Sequence, residues 1–295
     1  MAFNSEHLDT FARDGYAVVE DFLSASEVHD LRMRIHELLA EFEPAEHPTV
    51  TFPTSIDSQV ISDQYFFDSS TKASYFLEQH AVHEGKLTVD PAKAVNKIGH
   101  GIHTVEPLFK ELTHSDRVKR IACMLGFEDP RVLQSMVICK QPGIGGAVPM
   151  HQDSTFLFTD PPSACGFWIA LEDCTLDNGC LHCVPGSHRT NPITHRMVRS
   201  STGTAETEFV DIEPVFSLYP LAGELEHKME QDAKPVQVKA GSLVLIHGQV
   251  LHMSSHNHSP KSRWIYTFHI VEGSHTYDRR NWLQMPNNAP LTTLR

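Results

Sequence analysis

A mainly β protein with flanking helices, its strands arranged as a sandwich or jelly roll, is what the residue pattern predicts. After Asp129 the chain divides into short strand-like runs, "RVLQSMVICKQP", "CGFWIALEDCT", "CLHCVP", "PVQVKAGSLVLIHG" and "RWIYTFHIVEG", separated by Gly, Pro, Asn and Asp. Before that point apolar residues recur mostly at helical intervals. The 295 residues, 40% hydrophobic and 21% charged, suffice for a sizeable core, and no internal repeat is present. We therefore expect one domain over 1–295, with mainly helical support in 1–128 and a jelly-roll core in 129–275.

Residues 5–13 have the pattern of a short helix, and "YAVVEDFL" that of a strand running into a turn. Ser24 and Glu27 have capping-box spacing. After them Val28, Leu31, Ile35, Leu38, Leu39 and Phe42 form one apolar stripe. Residues 44–70, rich in Pro, Thr, Ser and Asp, are expected to be a loop, and 105–126 helical up to Gly126. Residues 190–234 have weak periodicity and many acids, as a lid insert would.

The net charge of −13 argues against a nucleic-acid or anionic-membrane partner, because phosphate binding relies on clustered Lys and Arg. No apolar stretch is long enough for a membrane helix. The first residues lack the basic and apolar regions of a signal peptide, and the last ones are not Ser-Lys-Leu, so the expected location is cytoplasmic. Six cysteines are too sparse for a disulfide scaffold. The lone CxxC at Cys180 and Cys183 has no second pair, and buried thiols explain it better than zinc does.

Three His-x-Asp pairs could begin a metal site: His7/Asp9, His114/Asp116 and His151/Asp153. Side chains at i and i+2 share a face on a strand but diverge on a helix. His7 and Asp9 fall in the first helix. Asp116 follows Thr113 at N-cap to N3 spacing and fits a helix start. His151 and Asp153, at the start of the strand-like "STFLF" in the strand-rich half, alone can chelate together. A catalytic iron needs two His and one carboxylate with positions left open. His247 and His252 both lie near strand ends, and two downstream residues favour His252. Ser254 shares its face, and Arg263 comes after the turn-like "HNHSPKS", on what would be the neighbouring strand. A guanidinium and a hydroxyl suit the far carboxylate of 2-oxoglutarate. His100, His103, His247, His256 and His258 are expected to be structural or solvent-exposed, and "PGSH" at 185–188 a turn positioning the lid.

Taken with "NKIGHGIH" at 96–103, "VLQSMVICKQPGIGG" at 132–146, "HQDSTFLFTDP" at 151–161, "FWIALEDCTLDNGCL" at 167–181 and "PGSH", the pattern His252-x-Ser254-x-x-Asn257-x-Ser259-x-x-x-Arg263 resembles the phytanoyl-CoA dioxygenase family over nearly the whole chain. That resemblance implies a double-stranded β-helix, the cupin-like jelly roll. It implies Fe(II) on His151, Asp153 and His252, with 2-oxoglutarate and dioxygen as co-substrates. Arg263 and Ser254 would hold the far carboxylate, and Lys97, Met136 and Trp168 would complete that pocket. The implied activity is oxidation of a small organic substrate with release of succinate and CO2. An acyl-CoA 2-hydroxylase is the narrower alternative, against which the acidic balance weighs. A non-catalytic jelly roll binding metal or 2-oxoglutarate is the alternative of a different class, and it would not need a carboxylate clamp.

Overall fold

The computed structural model describes residues 2–51, 63–202, 205–216 and 229–294. Helix α1 (Ser5–Asp14) contains both His7 and Asp9, and strand β1 (Tyr16–Val19) follows it. Gly15 joins the two at φ +82°, the left-handed conformation glycine adopts without a Cβ clash. Helix α2 (Ala25–Ala40) begins with the predicted capping box: the Glu27 amide donates to Ser24 Oγ, and the Ser24 amide donates to the Glu27 carboxylate at 2.8 Å. Its Val28, Leu31, Ile35, Leu38 and Leu39 are all buried, each contributing about 1.5–3 kcal/mol relative to exposure.

The first 128 residues hold more strand than the sequence suggests. β2 (Ala73–Leu77) and β3 (Val95–His100) belong to the principal sheet. Both are buried on nearly every residue, so neither shows the polar alternation by which a strand is recognised. Part of the 44–70 interval lies outside the described residues, and Gln64–Phe67 forms a helical turn rather than loop. The 105–126 stretch splits into α3 (Pro107–Thr113) and α4 (Asp116–Met124). Thr113 is not the cap of α4. Its hydroxyl donates to Phe109 O and meets Tyr266 Oη at 2.6 Å, leaving Ser115 at the N-cap and Asp116 in the first turn.

Apart from the two-residue strands Val82–His83, Lys86–Leu87 and Thr292–Thr293, the remaining strands among the described residues are β4 (Pro130–Lys140), β5 (Val148–His151), β6 (Cys165–Ala170), β7 (Leu181–Cys183), β8 (Ile193–Arg199), β9 (Thr207–Val215), β10 (Lys234–Val236), β11 (Leu243–His247), β12 (His252–Ser254) and β13 (Arg263–Glu272). The larger sheet runs β1-β11-β6-β13-β4-β3-β2 and the smaller one β10-β7-β12-β5, antiparallel throughout. Alternation assigns the faces. Phe167, Ile169, Tyr266 and Phe268 join the core under α2, α3 and α4, while Trp168, Ala170 and Ile265 turn inward with Leu181 and Cys183 of the smaller sheet. This is the predicted jelly roll with helices outside, and the sheets do not close into a barrel.

The stretch from 190 is not a structureless insert. β8 and β9 pair as an antiparallel ribbon, and residues 203–204 and 217–228 fall outside the described residues. β9 alternates between partly and fully exposed residues, so no apolar periodicity marks it.

Candidate active site

Both histidines of the predicted site stand opposite each other across one strand pair. His252 of β12 is the register partner of His151 at the end of β5, and their rings lie 4.2 Å apart. Asp153 reaches them differently from the sequence expectation. "STFLF" is not a strand: Asp153–Phe156 forms a helical turn, with the Leu157 amide bonded to Asp153 O at 2.9 Å. The short run from strand end into helical turn, rather than an i, i+2 strand face, folds the carboxylate back over the histidines. Gln152 fixes that bend, its amide donating to Gln249 O at 2.7 Å and Asn191 O at 2.8 Å.

One ligand atom from each of His151, Asp153 and His252 lies within 4.8 Å of the others. Asp153 Oδ1 is 3.5 Å from His151 Nε2 and 3.7 Å from His252 Nε2. His151 Nδ1 donates to Pro149 O at 2.8 Å and His252 Nδ1 to Val250 O at 3.1 Å, which leaves each Nε2 lone pair directed at the shared space. Burial, with His151 adding to it, pushes His252 down to about 4, so its imidazole is neutral near pH 7. Burial alone would raise the Asp153 carboxyl; His252, His269 and His151 around it reverse this and hold it well below the usual range. Two imidazoles and one carboxylate on one face match the donor set of a non-haem iron centre with open positions.

These groups line a cavity of about 210 Å³ between the sheets, shared with Lys97, Met136, Trp168, Ser254 and Arg263. Arg263 is not on the strand beside β12. It begins β13 in the facing sheet, because 255–262 crosses between sheets rather than turning back as a hairpin. Asn257 straps this crossing, its amide donating to Lys140 O at 3.1 Å and Lys261 O at 2.8 Å. Ser254 therefore meets the cavity from one sheet and Arg263 from the other.

Register along the larger sheet orders the cavity wall in rows. Arg263 pairs with Lys140, Lys97 with Ile138, Thr267 with both Met136 and Trp168, and His269 with Gln134. The Arg263 guanidinium is 2% exposed, stacks 5.3 Å from the Trp168 ring, and has no hydrogen-bond partner at Nε. Burial lowers Lys97 to about 7 and, with Arg263 adding, Lys140 to about 6. Lys140 Nζ donates to Gly146 O at 2.6 Å and Ser255 O at 2.8 Å.

Sequence reasoning missed His269, Gln134 and Lys140. The signal was available once Arg263 and Met136 were singled out, since even offsets along their strands reach these residues on the same face. Beyond the metal cluster the wall turns apolar, with Phe66, Phe156, Leu157, Met197 and Trp282. Trp282 stacks on Phe66 at 4.3 Å and donates to Phe156 O at 3.0 Å. The β8–β9 ribbon is tied to the same segment: Arg196 pairs with Asp278, and Arg199 donates to Trp282 O. The expected structural histidines are placed in the core or at the surface: His247 packs against Phe11 and His188, His103 bonds Ser135 at 2.7 Å, and His258 is exposed. His100, bonded to Ser69 Oγ at 2.7 Å, also lines the cavity.

Known proteins share this architecture. The family model for phytanoyl-CoA dioxygenase (PhyH) matches residues 11–265. The phytanoyl-CoA dioxygenase domain-containing protein 1 homolog of Caenorhabditis elegans is 39% identical, over 95% of each chain. The Danio rerio phytanoyl-CoA dioxygenase domain-containing protein 1 is 40% identical, over 98% of this chain and 97% of its own. Among solved structures, EctD from S. alaskensis with 2-oxoglutarate and 5-hydroxyectoine superposes with a TM-score of 0.61 at 20% identity, over 98% of this chain and 82% of that one, which establishes the shared fold. On the match across residues 11–265 and the near full-length relatives, the chain belongs to the phytanoyl-CoA dioxygenase family.

Proposed function

We propose that the protein, as a single domain, is an Fe(II)- and 2-oxoglutarate-dependent dioxygenase of a small organic substrate, with His151, Asp153 and His252 as the metal ligands. The observation that carries this reading is that the His-Asp-His cluster opens onto the same cavity as a buried Arg263 whose Nε lacks a partner. A dicarboxylate offset from the metal would supply what that guanidinium needs. When bound, iron and 2-oxoglutarate would use dioxygen to oxidise the substrate with release of succinate and CO2. The chain's own residues bind and orient. Arg263 and Ser254 hold the far carboxylate, Lys97 adds positive charge, and Met136 and Trp168 wall the pocket and keep water out. The Nδ1 bonds to Pro149 and Val250 prevent the ligand imidazoles from rotating.

The acyl-CoA version of the reading has less support, because the described residues lining the cavity around Trp282 and Met197 include no cluster of cations for CoA phosphates. The test is to purify the protein anaerobically, add Fe(II) and 2-oxoglutarate, admit oxygen and follow succinate with and without candidate metabolites. Succinate formation lost in His151→Ala supports the reading. Its absence from the unsubstituted protein with every metabolite, or its survival in His151→Ala, overturns it.

A further inference from the structure

Asp153 offers the metal only one of its oxygens. Oδ1 faces His151 and His252, while Oδ2 is taken by His269 Nε2 at 3.2 Å. The other nitrogen of that ring, Nδ1, lies 3.3 Å from the Gln134 side-chain amide. Gln134 and His269 are register partners on β4 and β13, each 6% exposed, and Gln134 Oε1 has no partner among the described residues. Both residues line the cavity.

The chemistry of the three groups fixes the direction of this chain. An ionised carboxylate only accepts, so the proton between His269 and Asp153 resides on Nε2. Gln134 turns its amide nitrogen, which only donates, toward Nδ1, so Nδ1 is the acceptor and the ring proton stays on Nε2. The oxygen left over, Oε1, is itself buried.

We propose that Gln134 and His269 form a positioning relay for the metal site: His269 holds Asp153 in one-oxygen coordination, and Gln134 donates to His269 Nδ1 and so holds the ring in that orientation. Neither residue is a metal ligand. The proposal rests on the iron-site reading above.

The test uses the full-length protein and Co(II) alone as the metal probe, titrated by calorimetry and by its visible spectrum. His269→Phe keeps ring volume but removes the N–H, and His269→Gln restores a donor. The relay predicts a loss of roughly 10- to 100-fold in Co(II) affinity and an altered spectrum for the Phe variant, with substantial recovery for Gln. Nitrogen-15 spectra of the Zn(II)-loaded protein should show the His269 proton on Nε2, and Gln134→Leu, which removes the donor to Nδ1, should weaken Co(II) binding while the proton stays on Nε2. Folding of each variant is checked by circular dichroism, and a Phe variant that fails to fold leaves the tautomer measurement on the unsubstituted protein to decide. Co(II) binding unchanged in folded His269→Phe, or a proton on Nδ1 in the unsubstituted protein, overturns the relay alone. No Co(II) binding by the unsubstituted protein overturns the iron-site reading and the relay with it.

Discussion

Replacing Arg263 with methionine separates stability from binding. In the ligand-free protein the guanidinium is 2% exposed, and burial lowers its proton affinity. Its Nε has no hydrogen-bond partner among the described residues, and its register partner is another basic residue, Lys140. Exchanging a poorly compensated buried charge for an apolar side chain of similar length stabilises by about 1–4 kcal/mol in favourable cases. Taking the low end, because Trp168 stacking already offsets part of the cost, we expect the melting temperature to rise by roughly 2 °C. The same change removes a charge-assisted fork whose individual hydrogen bonds contribute about 1.5–3 kcal/mol. With Lys97 still able to attract the carboxylate, the net loss is about 3 kcal/mol, roughly 100-fold in 2-oxoglutarate affinity. The assay is thermal melting in the presence of Mn(II) under nitrogen, titrated with 2-oxoglutarate. Unchanged affinity in Arg263→Met would refute the clamp. A lower melting temperature without ligand would refute the claim that the charge is under-compensated.

Lys97, lowered by burial to about 7, carries its charge only below that pH, so the KM for 2-oxoglutarate should rise as pH climbs from about 6 to 9, and Lys97→Met should flatten the profile. His103 and His188, each lowered by burial to about 4 from an ordinary 6.5, stay neutral in the native state while the unfolded chain takes up protons. Their contribution is present in full above pH 6.5 and falls away between 6.5 and about 4; denaturant melts across that window should show a shallower pH slope for His103→Gln. Ser24→Ala removes the cap of α2 and should cost about 1 kcal/mol in chemical unfolding, with no change in metal affinity.

The His151–Asp153 pair and the α2 stripe were legible because each obeys a local rule: a short motif, a capping box, a 3.6-residue period. His151 and Asp153 were rightly paired, though for a geometric reason the structure does not use, since Asp153 opens a helical turn. β2 and β3 escape a sequence reading because burial on both faces erases alternation, and β9 because exposure on both faces does the same. Arg263 was read as a strand neighbour of His252 because sequence distance does not distinguish a hairpin from a crossing between sheets. His269 escaped notice for another reason. Its partner Asp153 is 116 residues away, and only strand pairing reveals that β13 presents it to the same cavity.

The family match ends at residue 265, two residues beyond Arg263, yet Trp282 and the Asp278 that anchors Arg196 lie past that point, as does His269. On our reading, the residues proposed for iron and co-substrate, the supporting His269 apart, thus fall in one stretch of chain, and part of the wall proposed for the substrate in another. A chimera that keeps residues 1–265 and borrows the remainder from a relative should hold the same co-substrate while accepting different guests. Comparing relatives along that tail is accordingly a more direct route to their preferences than comparing their iron motifs.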